Sequence, residues 1–263
     1  MTDHRVDVVT VTRGRPDGLR RAMDSVAGQV GVSVRHIVVG DACPALADGR
    51  FRAELQRRFP AAVVHNEERP PEASGEYVFS RLARLRNLGV ALGDNPYVGH
   101  LDDDNAYRSD HLARLAQCLE DDPDAGVAHS WRRLTTPDGR EFVPRGIDPW
   151  QPDPDAARAS YRDLAKIGVF TPGSPVVRDV FRHGDRLIAR LDTNELLVRR
   201  TVHETIPFPT EYSAARRRLQ WSEDFAFAVR LGREGIGVTC SERPTVDYTM
   251  GGLSNTTATE GTA

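Results

Sequence analysis

Three consecutive carboxylates, Asp102-Asp103-Asp104, followed by Asn105, close the apolar run Tyr97-Val98-Gly99-His100-Leu101. Adjacent acids repel one another unless something positive sits among them. Carboxylates so spaced at a strand end can hold a hard cation, Mg2+ or Mn2+, between protein and phosphate oxygens. Such a cation offsets the charge that develops on a departing diphosphate. The D-x-D spacing is weak by itself, because it recurs at Asp122/Asp124 and Asp153/Asp155. Those two pairs enclose a proline and read as solvated turns, whereas Asp102/Asp104 follows an apolar strand. The bland reading of the same residues is an acidic loop ahead of a helix.

The elements that would position such a cluster are legible around it. Val6 to Thr12 is a nearly continuous β-branched run, the pattern of a strand buried on both faces. Pro16 then fits a first helical turn, and Leu19, Ala22, Met23 and Val26 follow at helical spacing. A second strand, Val34 to Val39, ends at Gly40-Asp41. Phe51, Leu55 and Phe59 form another helical stripe, and Ala62-Val63-Val64 a third strand. Leu82, Leu85, Gly89 and Leu92 mark a helix stopped by Gly93 and Asn95-Pro96. Ser109 is placed to cap one more helix, with Leu112, Leu115, Ala116 and Leu119 as its face.

This alternation predicts a parallel sheet covered by helices on both sides, and ligands bind outside the carboxyl ends of such strands. Thr12-Arg13-Gly14-Arg15, Gly40-Asp41 and Asp102-Asp103-Asp104 all fall there.

The second half is less regular. Val127 to Leu134 and Glu141 to Val143 flank the turn Pro137-Asp138-Gly139. Residues 144–190 are rich in Pro, Asp and Arg and read as a loop-rich wall or lid. Ser222-Glu223-Asp224 opens a helix carrying Phe225, Ala228, Val229 and Leu231, and Val238 to Cys240 reads as an edge strand. The small polar residues from Asn255 to Ala263 read as a fraying tail. His129, His203 and Asp247-Tyr248-Thr249-Met250 are secondary candidates for bordering an acceptor or metal. Trp131, Trp150 and Trp221 can stack on a sugar, or simply be buried.

Composition narrows the classes. The 263 residues suffice for one large α/β domain or two fused halves sharing a sheet. A net charge of −3 leaves no basic surplus for nucleic acid or an anionic membrane. One lysine (Lys166) stands against 34 arginines, a coding bias that lowers the weight of any single arginine. Cys43, Cys118 and Cys240 are far apart and form no C-x-x-C pair, which argues against a zinc site or disulfide framework and for a reducing cytoplasm. The N-terminal apolar run is too short for a signal peptide or membrane span.

Four segments taken in order, VVTVTRGRP, VVGDACP, RLRNLGVALGDNPYVGHLDDDN and WSEDFAFAVRLGREG, resemble the family 2 glycosyltransferases over residues 5 to about 240. The resemblance implies a GT-A fold: a mostly parallel, Rossmann-like sheet flanked by helices, with a loop-rich acceptor half. It divides the chain into a donor-binding half (1–110), an acceptor-binding and catalytic half (111–250) and a tail (251–263).

It also implies a nucleotide-diphosphate sugar donor, uridine-linked, bound by Thr12, Arg13, Arg15, Asp41, Arg86, Asn87, Asp102 and Asp103. The resemblance places Mn2+ or Mg2+ on Asp104 with Asp102. Glu223-Asp224 matches the family's acidic pair, whose Asp serves as general base toward a small-molecule or glycan acceptor in an inverting transfer. The family's aromatic and Asn after the first strand are replaced here by Arg13 and Gly14, and its first Asp after the second strand by Gly40.

Rival readings differ at single positions. A nucleotidyltransferase needs a glycine-rich loop after the first strand, where Thr12-Arg13-Gly14-Arg15-Pro16 is poor in glycine. A haloacid-type phosphatase needs a nucleophilic Asp where Thr12 stands. A non-catalytic sugar-nucleotide or glycan binder on the same scaffold has no use for both Asp104 and Glu223-Asp224. Without the resemblance, the residues alone favour the plainer reading, in which Glu223 and Asp224 complement a helix dipole in its first turn.

Overall fold

The structure, a computed structural model, describes residues 4–70, 75–252 and 255. Its first half runs β1 (His4–Thr12), α1 (Pro16–Ala27), β2 (Val32–Asp41), α2 (Pro44–Ala47), α3 (Gly49–Arg58), β3 (Val63–Glu67), α4 (Val78–Ala91), β4 (Tyr97–His100), β5 (Ala106–Tyr107) and α5 (His111–Asp121). The second half adds β6 (Ala125–Thr135), α6 (Pro154–Lys166), β7 (Val176–Val177), β8 (Val180–His183), β9 (Arg186–Arg190) and β10 (Leu196–Arg199). It continues through α7 (Arg200–Thr205), α8 (Ala214–Arg218), α9 (Glu223–Arg233) and β11 (Gly237–Thr249).

One sheet passes through both halves in the order β3-β2-β1-β4-β10-β6-β11-β5, with β7 on β6. The strands from β3 to β4 are parallel. β10 enters antiparallel to both neighbours, and β6 and β11 run parallel again. β1 and β2 are buried through most of their length because helices cover both faces, as their β-branched runs require. α4 lies against β1 so closely that a Cβ on Gly89 would stand 2.3 Å from Val9, which is why a glycine interrupts this helix. Among the described residues no helix is long and apolar enough to cross a membrane.

Several expectations change. α5 is capped at Asp110 rather than Ser109, whose carbonyl accepts the Val30 amide instead. Leu92 is not in the core of α4 but 37% exposed, while Arg81 and Arg86 are buried on that helix. Residues 144–190 are more ordered than a loop wall: they contain α6 and the β8–β9 hairpin. The Asp153-Pro154-Asp155 run is no solvated turn. Asp153 caps α6, accepting the amides of Asp155 and Ala156, and proline suits the first helical turn.

Val238 to Cys240 belongs to the start of a thirteen-residue strand paired with β6 at both ends and with β5 at Val246 and Asp247. Irregular register between Cys240 and Val246, where Pro244 removes a donor, hides that length in the sequence. The turn at Pro137 to Gly139 forms as expected, with Glu141 bridging Thr135. Of the tail, residues 253–254 and 256–263 lie outside the described residues.

Candidate functional site

The carboxyl ends of β1, β2 and β4 open into a cleft of about 310 Å³. α4, the N-terminus of α9 and the turn ahead of β10 complete its lining. Its lining includes Thr12, Arg13, Arg15, Asp41, Arg86, Asp102, Asp103, Asp104, Glu223 and Asp224. Segments from both ends of the chain, Val11 to Gly252, thus meet in one concavity, and the first of them do so because parallel strands deliver their loops to a single edge.

The acidic triplet is held residue by residue. Thr12 Oγ1 donates to Asp103 Oδ2 at 2.7 Å, and Arg15 Nη1 donates to Asp103 Oδ1 at 3.1 Å and to Asp104 Oδ2. Gly18, in the first turn of α1, permits this: a Cβ there would come within 2.4 Å of the Asp103 carbonyl. Arg86, fully buried on α4, donates to Asp102 Oδ1 at 2.7 Å and to Glu223 Oε1 at 3.1 Å. One guanidinium therefore ties the acidic loop to the first turn of α9.

The charges respond accordingly. Burial opposes the charge on Arg86, but Asp102 and Glu223 outweigh it and raise its pKa. Burial likewise opposes ionisation of Asp102, yet Arg86 and Asn194 hold that carboxyl below its ordinary value. Asp104 is pushed up to about 7, by burial first and the Asp102 charge second. Burial also raises Asp103.

A hard divalent cation fits this donor set. Asp104 lines the cleft with Arg15 on its Oδ2, and burial together with the neighbouring Asp102 and Asp103 charges raises its pKa, so a cation at this position would relieve the repulsion within the triplet. Among the described residues no three acidic, His or Cys side chains converge on one metal position. Mg2+ and Mn2+ do not need that, since one or two carboxylates plus phosphate oxygens and water suffice. Asp104 would hold the ion, with Asp102, already engaged by Arg86 and Asn194, assisting.

Ser222 caps α9 by position, but its hydroxyl bonds the Asp224 side chain rather than the helix backbone. Asp224 Oδ1 also accepts the Phe225 amide at 2.6 Å. Burial raises Asp224 to about 6, and the Asp192 charge adds to this. Burial pushes Glu223 up to about 7 while Arg86 pulls the other way. Glu223 is thus committed to Arg86, whereas Asp224 faces the cleft with an oxygen to spare.

Asp41 lies at the opposite end, bonded by Arg81 Nε at 2.9 Å, with Arg69 at 3.6 Å. Ala42, at φ 47°, turns the chain directly after it. Asn87 is the one sequence-derived site residue outside the cleft lining. Its amide donates to the Phe208 carbonyl at 2.9 Å and accepts the Phe208 amide at 3.0 Å, fastening the segment after α7 to α4.

The secondary candidates divide. Tyr248 lines the cleft. His203 does not: it stacks on Phe227 in the core with Nε2 3.1 Å from that of His100, and burial lowers it to about 3. His129 is buried against the Ser130 carbonyl. Trp150 has the guanidiniums of Arg132 and Arg190 at 4.3 and 5.1 Å from its ring, Trp131 sits under Arg178, and Trp221 packs on Phe225; none of the three lines the cleft.

The reading of the sequence missed Arg69, Arg81, Asp192, Thr193 and Asn194. Arg81 announces itself as a charge on the buried stripe of α4. Asp192-Thr193-Asn194-Glu195 carries the D-x-x-E spacing of a capping box ahead of an apolar run, and forms one.

These elements define the protein as a GT-A fold, a curled, mostly parallel sheet with the cleft-lining loops at one edge. No sequence-family model matches the chain, and no curated protein sequence does. Solved structures do match in shape. S. aureus TarS 1–349 in complex with UDP-GlcNAc superposes with a TM-score of 0.61 at 16% identity, over 96% of this chain and 61% of that one. The UDP complex of the same protein gives 0.62, over 94% and 60%. The mannosyltransferase PcManGT from Pyrobaculum calidifontis, in complex with GDP-Man and Mn2+, gives 0.54 at 15% identity, over 95% and 56%. The chain thus spans about six-tenths of the length of TarS 1–349.

Proposed function

We propose that the protein is a glycosyltransferase that moves a sugar from a nucleotide-diphosphate donor, uridine-linked, to a hydroxyl of a small-molecule or glycan acceptor. The observation that carries this reading is the convergence of Thr12, Arg15, Asp41, Asp102–Asp104 and Glu223–Asp224 in one cleft of a GT-A fold. The binding of UDP, UDP-GlcNAc and GDP-Man by proteins of similar shape supports the donor class.

Asp41, between Arg81 and Arg69, takes the nucleoside end, and Arg13 and Arg15 meet the diphosphate. Asp104, with Asp102, would hold a divalent cation, Mn2+ or Mg2+, which would supply charge neutralisation for the leaving diphosphate. Glu223 and Arg86 keep α9 in register with the acidic loop.

Asp224 acts as general base, accepting the acceptor hydroxyl's proton on its free carboxylate oxygen as that hydroxyl attacks the anomeric carbon, with inversion. A base poised near 6 is ionised at neutral pH yet still basic enough to take a proton. Three unpaired cysteines, with no disulfide among the described residues, suit a reducing cytoplasm.

A thermal-shift and calorimetric screen of UDP, GDP, ADP and CDP, with and without Mn2+, tests the donor reading. A ligand that binds only the native state at a hundredfold excess over its Kd stabilises by about 2.7 kcal/mol. No shift with any of the four would overturn it.

A further inference from the structure

β10 runs antiparallel to β4, pairing Leu197 with Gly99 and Val198 with Val98. Extending that register beyond the last ladder bond brings Asn194 opposite Asp102. The backbone ladder has ended there, because residues 193–195 turn into a 3-10 helix. The side chain of Asn194 continues it instead. Its Oδ1 accepts the Asp102 amide at 2.6 Å, and its Nδ2 donates to Asp102 Oδ2 at 2.8 Å. A carboxamide offers an acceptor and a donor side by side, as a peptide group does, so one residue satisfies both the backbone and the carboxylate of Asp102.

Asn194 is completely buried and is itself fixed. Asp192 Oδ1 accepts both its backbone amide, at 3.0 Å, and Nδ2, at 2.6 Å. Asp192 in turn is bonded by Arg132 of β6, which also meets Asp179 at 2.6 Å. Glu195 closes the capping box by accepting the Asp192 amide at 3.0 Å. Asp102 is thereby gripped from two sides, by Arg86 on one oxygen and Asn194 on the other. With its rotamer locked, it can turn only its remaining lone pairs toward the cleft.

We propose that Asn194 is a positioning residue that sets the carboxylate of Asp102 for a cation–diphosphate pair, which rests on the donor reading given above. The segment it sits on also presents Asp192 and Thr193 to the cleft. The same turn therefore fixes Asp102 and contributes two residues to the cleft lining.

The test uses the full chain with UDP and MnCl2 as probes. Asn194→Leu keeps the approximate shape and removes every side-chain hydrogen bond. Asn194→Ser keeps one hydroxyl and is well tolerated next to a turn. Calorimetry in the presence of EDTA measures binding of UDP alone, and electron paramagnetic resonance of free Mn2+ measures the half-saturating Mn2+ in the presence of UDP. The expected result is a tenfold or greater rise in half-saturating Mn2+ for N194L and a smaller rise for N194S, with UDP binding in EDTA changed less than twofold.

A merely structural asparagine would lower the melting temperature and leave the half-saturating Mn2+ of the folded protein unmoved. Should N194L not fold, N194S decides: half-saturation within twofold of the native protein overturns the proposal. Failure of the native protein to bind UDP at any Mn2+ concentration is a separate outcome, and it removes the donor reading and this proposal together.

Discussion

Replacing Asp224 by Asn sets stability and activity moving in opposite directions. Asn keeps an oxygen that can accept the same bonds from the Ser222 hydroxyl and the Phe225 amide, so the local geometry survives. What disappears is a carboxylate whose pKa burial has raised from 3.8 to about 6. Folded, it holds its proton more tightly than when unfolded, so the ionised form costs the native state free energy. That cost vanishes about a pH unit below 3.8, grows as pH rises through the interval between 3.8 and about 6, and is constant above.

A shift of this size corresponds to roughly 3 kcal/mol at about 1.4 kcal/mol per pKa unit, and partial exposure reduces it to on the order of 1–2 kcal/mol. At pH 8, D224N should therefore melt about 2–8 °C higher than the native chain, at ~2–4 °C per kcal/mol for a domain of this size. The difference should shrink as pH falls through this interval and vanish near about pH 3, where the carboxyl is protonated in both states. Turnover should fall by about 10²–10⁴-fold, the usual worth of a positioned base.

Calorimetric melts across pH, alongside UDP release with donor and acceptor, measure both quantities. If Asp224 only complemented the α9 dipole, the variant would lose about 0.3–1 kcal/mol at pH 8 and keep its rate. Retention of more than about a tenth of native turnover would refute the base assignment. A stability difference independent of pH would refute the electrostatic account of it.

Other outcomes follow from the same cleft. EDTA should abolish turnover and Mn2+ or Mg2+ restore it, and full activity of Asp104→Ala in EDTA would remove the cation from the reaction. Asp41→Ala should weaken UDP binding by about 1–3 kcal/mol by calorimetry; an unchanged Kd would move the nucleoside contact to Arg13 or Arg15. Arg86→Met should lower urea stability by about 3 kcal/mol, the low end for a broken buried pair, because Glu223 is left buried and Asp102 half-buried without their shared cation. Arg86→Lys should recover little of it, since an ammonium cannot span both carboxylates as the guanidinium fork does.

Local chemistry was readable in the chain because it is written in short range. The β-branched run of β1, the Pro16 start of α1, the stop of α4 near Gly93 and the acids after β4 are each decided by residues within a turn or two of one another. The rule that parallel strands place their loops at one edge then brought Thr12, Asp41 and Asp104 together without coordinates. Where local signals were ambiguous, the reading slipped: Asp153-Pro154-Asp155 serves a turn or a helix start equally well, and Pro244 disguised the continuity of β11.

Pairings between distant segments belong to the tertiary structure alone. Nothing near Arg86 specifies that it should join Asp102 to Glu223, 137 positions away. Nothing near Asn87 reveals that its amide is spent on Phe208. The insertion of β10 between β4 and β6, antiparallel to both, is what puts Asn194 beside Asp102 and Asp192 in the cleft. Strand order is settled by which apolar faces and buried charges can be satisfied simultaneously across the whole sheet. That condition couples residues about a hundred positions apart, so the identities of the reactive groups are local while their partners are not.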